Sequence, residues 1–191
     1  MTVGERIEKF KKELSFHFRE KAPLEIEHIV GRLQLEGFFT APASTKYHGN
    51  YEGGLFDHSC AVAKALVRLD VRNNLTWFLP RSPWLVGMFH DICKIDRYKR
   101  EVIGWAGDTP IYGDCYEYTD DTLYKGHGDK SVILLASYFD LSPEEVACIR
   151  YHMGAFTDRE EWKHYTRAIH DFPNVLWTHH ADMIVSHIEG V

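Results

Sequence analysis

The sequence lacks the features that mark three broad classes of protein. No uninterrupted apolar run approaches the roughly 20 residues that span a bilayer, and the charged N-terminus, MTVGERIEKFKKELSF, has no apolar core of a secretory signal. The four cysteines form no C-x-x-C pair, which argues against a thiolate zinc site and a disulfide framework. A net charge of −6 argues against non-specific nucleic-acid binding, which needs clustered Lys and Arg. We therefore expect a cytoplasmic protein that forms no stable complex with nucleic acid or membrane.

Apolar residues at helical spacing run through most of the 191 residues instead. In residues 3–20, Ile7, Phe10, Leu14 and Phe18 recur every three or four positions, which is typical of one face of an amphipathic helix. Starts such as Ser142-Pro143, with Glu145 completing a capping box, predict further helices. These helices are predicted at 23–37, from 55 onward after a loop at 38–54, and at 83–93, 126–139, 143–153 and 173–188. The fold class predicted from these patterns is all-α.

The segment 96–122 differs in composition from the helical regions around it. It is rich in Gly, Pro, Thr and aromatic residues, which predicts a short hairpin or an irregular excursion. No internal repeat or low-complexity stretch is present, and the length suits one domain with one sizeable core.

Several histidines and aspartates interrupt apolar helical faces, and the chain has twelve histidines in all. The residues concerned are His58, His90, Asp91, His127, His152 and Asp182. Nitrogen and oxygen donors of this kind suit Mn, Fe, Co, Ni or Zn, and helices can bring them together from distant positions. Taken singly, each has an ordinary alternative, such as a core histidine or an aspartate that caps a helix end.

Five segments, GGLFDHS, FHDICK, LYKGHGDKS, YHMGAF and THHADMI, resemble in order the motifs of the HD-superfamily metal-dependent phosphohydrolases. They look most like small HD proteins of bacteria and phages and the HD part of bacterial 3′-to-5′ exoribonucleases. The resemblance covers about residues 40 to 188. It implies an HD-domain helical bundle at 41–191, on which N-terminal helices from 1–40 pack.

The resemblance also implies that the chain binds two divalent transition-metal ions (Mn, Fe, Ni, Co or Zn). His58, His90, Asp91 and Asp182 match the ligands of the first ion, and His127 and His152 match those of a second ion, with Asp91 bridging both. One departure is Met153, because relatives often have a second histidine there. Asp91 can then be buried because it would lie between cations.

Two lysines are candidates for contacts with a substrate phosphate. Lys94 follows Asp91 by three residues and Lys130 follows His127 by three, so each could lie on the same side of a helix as its neighbour. A solvated surface lysine is the alternative for both. Asp91, Lys94 and Lys130 are therefore the predicted catalytic residues.

The chain is predicted to be an enzyme that hydrolyses a phosphate ester of a nucleotide or short nucleic acid through a metal-bound hydroxide. The OB-fold of the related exoribonucleases is missing, which favours a small phosphorylated substrate of the nucleotide type. Two alternatives remain open: a mixed-valence di-iron oxygenase, which uses the same ligands on an HD fold, and a metal- or nucleotide-binding module without turnover. The oligomeric state is left open.

Overall fold

A computed structural model describes residues 1–119 and 122–191 of the chain. Within these ranges it contains eight α-helices and one two-stranded sheet. The helices are α1 (Val3–His17), α2 (Pro23–Leu35), α3 (Gly54–Asn73), α4 (Ser82–Phe89), α5 (Gly128–Leu135), α6 (Pro143–Arg150), α7 (Trp162–Asp171) and α8 (Asn174–Ile184). Short 3₁₀ turns lie between these elements at Ile92–Asp96, Gly154–Phe156 and Arg159–Glu161, and a π-helical turn at Val185–Glu189 extends α8.

The all-α class predicted from the sequence is wrong, because the fold also contains a sheet. Strands β1 (Tyr98–Ala106) and β2 (Thr109–Tyr118) pair antiparallel through a two-residue turn in which Gly107 has a φ of 63°. That left-handed conformation suits glycine and the twist of a hairpin. Within the described part of the chain, the strands pair only with each other and stay largely exposed, so they show no clear inward and outward alternation. The fold is mixed, with helices predominating, and 120 and 121 of the predicted excursion lie outside the described residues.

Local signals placed most helix starts. Ser142 caps α6 with its side chain and Glu145 reaches back to the Ser142 amide, which confirms the predicted capping box. Pro23 opens α2, and α3 begins at Gly54 after the predicted loop. Helix α7 was not predicted.

The core is built around α4, all of whose residues are buried. Phe10 of α1 lies against Trp84 and Phe89 of α4, at ring-centroid distances of 6.1 and 5.9 Å, so the N-terminal helix contributes to the same apolar core. Gly87 lets α4 approach α3 closely, because a Cβ at Gly87 would lie 2.5 Å from the Ala63 Cα. This close approach brings the end of α4 beside the start of α3. The division of the chain at residue 40 stays a prediction.

No helix in the described ranges combines the length and the apolar character needed to cross a membrane.

Candidate metal centre

The six predicted ligands come together where α3, α4, α6 and α8 meet. His58 lies near the start of α3, His90 is the C-cap of α4, and Asp91 follows it. His152 lies just after α6, and His127 immediately precedes α5. Asp182 lies on α8. Five of the six side chains are mostly buried, whereas His127 is about one-third exposed.

Three of the histidines share one hydrogen-bonding arrangement. Nδ1 of His58, His90 and His152 lies 2.9, 2.9 and 2.7 Å from the backbone carbonyl oxygens of Val191, Gly87 and Ile149, respectively. A carbonyl can only accept, so we assign the proton to Nδ1 in each ring. The lone pair of a neutral ring is then on Nε2, which is the arrangement of a metal-binding histidine.

The three Nε2 atoms themselves are buried and have no hydrogen-bond partner among the described residues. Buried polar atoms are normally paired, so three unpaired atoms in one place require an explanation. Each one faces a carboxylate oxygen: His58 Nε2 lies 3.2 Å from Asp182 Oδ1, and His152 Nε2 lies 3.4 Å from Asp91 Oδ1. A lone pair facing an anionic oxygen is repulsive unless a proton or a metal cation lies between them. A shared cation meets this requirement, and donors on one ion are about 3 to 3.5 Å apart when the ligand bonds are about 2.1 Å.

The Asp91 carboxylate stands between two sets of donors. Its Oδ2 lies 3.7 Å from His58 Nε2 and 3.5 Å from His90 Nε2. Its Oδ1 lies 2.7 Å from His127 Nε2 and 3.4 Å from His152 Nε2. Each oxygen therefore faces a different pair of histidines.

Among the described residues, three overlapping groups of side chains are close enough to hold a metal ion, with ligand atoms within 4.8 Å of one another. They are His58, His90 and Asp182; His90, Asp91 and His152; and Asp91, Cys93 and His127. Buried His, Asp and Cys groups could thus hold a metal ion here.

The candidate metal centre carries more negative than positive charge. Burial alone would raise the pKa of Asp91, but the Lys94 ammonium and the neighbouring histidines hold that pKa well below its usual range. Burial likewise opposes ionisation of Asp182, and its pKa is still lowered by His58 and His90. Among the described residues of the cluster, the buried carboxylate of Asp91 and the partly buried carboxylate of Asp182 thus face the permanent positive charge of Lys94. Additional positive charge would stabilise the site, since buried anions are costly without it.

The two predicted catalytic lysines are placed differently. Lys94 is partly buried with its Nζ 2.7 Å from Asp91 Oδ2, and Asp91 raises the pKa of Lys94 against the effect of burial. The Lys130 ammonium is paired with Asp96. Both lysines line the cleft described below, but only Lys94 contacts a predicted ligand.

A cleft of about 470 Å³ opens onto the donor cluster. Asp91, His127 and Asp182 line it, together with Lys94 and His179. Its other lining residues include Tyr47, His48, Arg97, Tyr98, Tyr118, Lys130, Met153, Phe156 and His187. A volume of this size suits a small-molecule ligand.

Sequence reasoning missed one feature of the cluster, the thiol of Cys93. Its sulfur lies 3.4 Å from His127 Nδ1, where the other three ligand histidines have a backbone carbonyl. Burial raises the pKa of Cys93 to about 12, so the group is a thiol at neutral pH unless a cation binds it. The only signal in the sequence was its position two residues after Asp91.

The adjacent histidines His179 and His180 of α8 are placed differently. His179 lines the cleft, and its Nδ1 lies 2.9 Å from the carbonyl oxygen of His152. His180 is not among the cleft residues.

Comparison of the chain with protein-family models, with curated proteins and with solved structures found no match.

Proposed function

We propose that the protein is an HD-type metal-dependent phosphohydrolase that acts on a small phosphorylated substrate of the nucleotide class. The observation that carries the proposal is the Asp91 carboxylate, whose two oxygens face two separate pairs of histidines. The order of the five motifs, from GGLFDHS to THHADMI, supports the same function.

Two ions would be held by this chain. His58, His90, Asp91 and Asp182 would bind the first, and Asp91, His127 and His152 would bind the second. The unpaired Nε2 atoms and the surplus of buried negative charge fit this occupancy. Divalent ions in such a site polarise a phosphoryl oxygen and lower the pKa of water to about 7.

The chain's own side chains would bind and orient the phosphate. Lys94 lies beside Asp91, and Arg97 lines the same cleft, so both cations could contact an anionic substrate above the ligands. Lys130 would contribute less, because Asp96 already pairs with its ammonium. This cationic lining favours a phosphate ester over an uncharged substrate.

Aromatic side chains at the cleft favour a substrate with a flat ring. Tyr47, Tyr118 and Phe156 line the cleft and are 79%, 62% and 69% exposed. They come from three different segments of the chain: the loop before α3, the end of β2 and the 3₁₀ turn Gly154–Phe156. Base stacking on such rings stabilises by about 1 to 3 kcal/mol per base.

The proposal is tested by metal analysis of the purified protein combined with a panel of phosphate esters, including nucleoside mono- and triphosphates, assayed with added Mn²⁺. We expect about two ions per chain and hydrolysis of at least one nucleotide. Protein that binds metal but hydrolyses no phosphoester of the panel would refute the phosphohydrolase. Iron content with consumption of dioxygen would favour the oxygenase alternative instead.

A further inference from the structure

His58 differs from the other ligand histidines in the origin of its carbonyl partner. The Nδ1 atoms of His90 and His152 bond to carbonyls three residues earlier in the chain, those of Gly87 and Ile149. Their ring orientation is therefore set by the adjoining helical turn. His58 Nδ1 instead bonds to the Val191 carbonyl oxygen, 133 residues away.

A turn after α8 brings that carbonyl to His58. The π-helical turn Val185–Glu189 is followed by Gly190, whose φ is 72°. The amides of Gly190 and Val191 both donate to the Val185 carbonyl, at 2.9 and 3.2 Å. The left-handed conformation at Gly190, which glycine adopts without a Cβ penalty, turns the chain back toward α3.

Side-chain contacts hold the turned segment against α3. Arg68 of α3 donates from Nη2 to Glu189 Oε1 at 2.8 Å. Val191 is partly buried and packs on the apolar core, and Val185 is fully buried. The segment is thus attached on both sides of Gly190.

We propose that residues 189–191 are a positioning element for the metal ligand His58. The Val191 carbonyl holds the proton on Nδ1 and thereby directs the Nε2 lone pair toward Asp182 and Asp91. The inference rests on the metal site of the proposed function and adds to it a contact that no motif contains. Loss of such a partner typically weakens metal binding 10- to 100-fold. The loss should be confined to the ion held by His58, because His152 and His127 have other partners.

The test uses the full chain, stripped of metal and titrated with Mn²⁺ by calorimetry. Gly190→Val strains the left-handed backbone conformation of the turn, and the Cβ that it adds meets no atom within 4 Å. Deletion of residues 190–191 is the second variant. Val191→Ala is the matched control, because it keeps the backbone carbonyl. A titration in the His152→Ala background, where only the His58 site should remain, assigns the weakened site.

We expect Gly190→Val and the deletion to weaken the His58 site 10- to 100-fold and to leave the other site unchanged, while Val191→Ala binds as the wild type does. Equal weakening of both sites, with a lower melting temperature of the stripped protein, would indicate a purely structural role and overturn the inference. Unchanged binding in both variants would also overturn it and leave the proposed function intact. A wild type that binds no Mn²⁺ would overturn both.

Discussion

The ion pair between Arg6 and Asp57 joins the N-terminal helix to the start of α3, one residue before His58. Arg6 Nη2 lies 2.9 Å from Asp57 Oδ2, and Arg6 Nε lies 3.3 Å from Oδ1, so the contact is bidentate. Tyr51 donates its hydroxyl to the same carboxylate at 3.2 Å. The Arg6 and Asp57 side chains are 5% and 15% exposed. Removing the guanidinium would leave an ionised carboxylate with little access to water.

Arg6→Met should therefore destabilise the protein substantially. Breaking a buried pair by removing one partner costs about 3 to 5 kcal/mol, and the partial exposure of Asp57 places the expected loss near the lower end, at about 3 kcal/mol. For a chain of this size that corresponds to a decrease in melting temperature of about 6 to 12 °C. Urea unfolding and thermal melts of the metal-stripped protein measure both quantities.

Two further variants make the Arg6 test specific. Arg167→Met is the matched control, because its pair with Asp171 is exposed on α7 and should contribute at most about 0.5 kcal/mol. The double variant Arg6→Met with Asp57→Asn should recover part of the loss, since the unpaired charge is then gone. If Arg6→Met unfolds within about 0.5 kcal/mol of the wild type, the ion pair does not stabilise α3 as argued.

Three other perturbations follow from the structure. Chelation should lower the melting temperature, because an ion at 100 times its dissociation constant stabilises the folded state by about 2.7 kcal/mol, and an unchanged melt after verified stripping would count against a metal site. Asp91→Ala should lose both ions and turnover, whereas Lys94→Ala should keep its metal content and raise KM. Elemental analysis and steady-state kinetics measure these quantities. Two ions retained in Asp91→Ala would disprove the proposal that Asp91 bridges them. Ser142→Ala removes the α6 N-cap and should lower the free energy of unfolding, measured with urea, by about 1 kcal/mol, with metal content unchanged. An unchanged free energy of unfolding would show that the cap contributes little.

Helix starts could be predicted from the sequence where interactions between neighbouring residues determine them. Capping at Ser142 and the first-turn Pro23 involve only near neighbours, so these starts could be predicted. The hairpin at 98–118 was only one of two options, because exposed strands that pair with each other lack a periodic apolar face. Helix α7 was missed, and only one of its residues, Ala168, is buried.

The residue types of the candidate metal ligands could also be predicted from the sequence, since a buried aspartate next to a histidine in an apolar helix needs a partner. By itself the sequence determined most helix starts, the residue types of the six candidate ligands and their order along the chain. Only the tertiary structure decided that each Asp91 oxygen faces a different pair of histidines and that Lys130 pairs with Asp96. It also decided that Cys93 lies beside His127 and that the Val191 carbonyl holds His58. Apart from the adjacent His90 and Asp91, these contacts join residues from 33 to 133 positions apart, and packing of the helices, which local patterns do not specify, sets them.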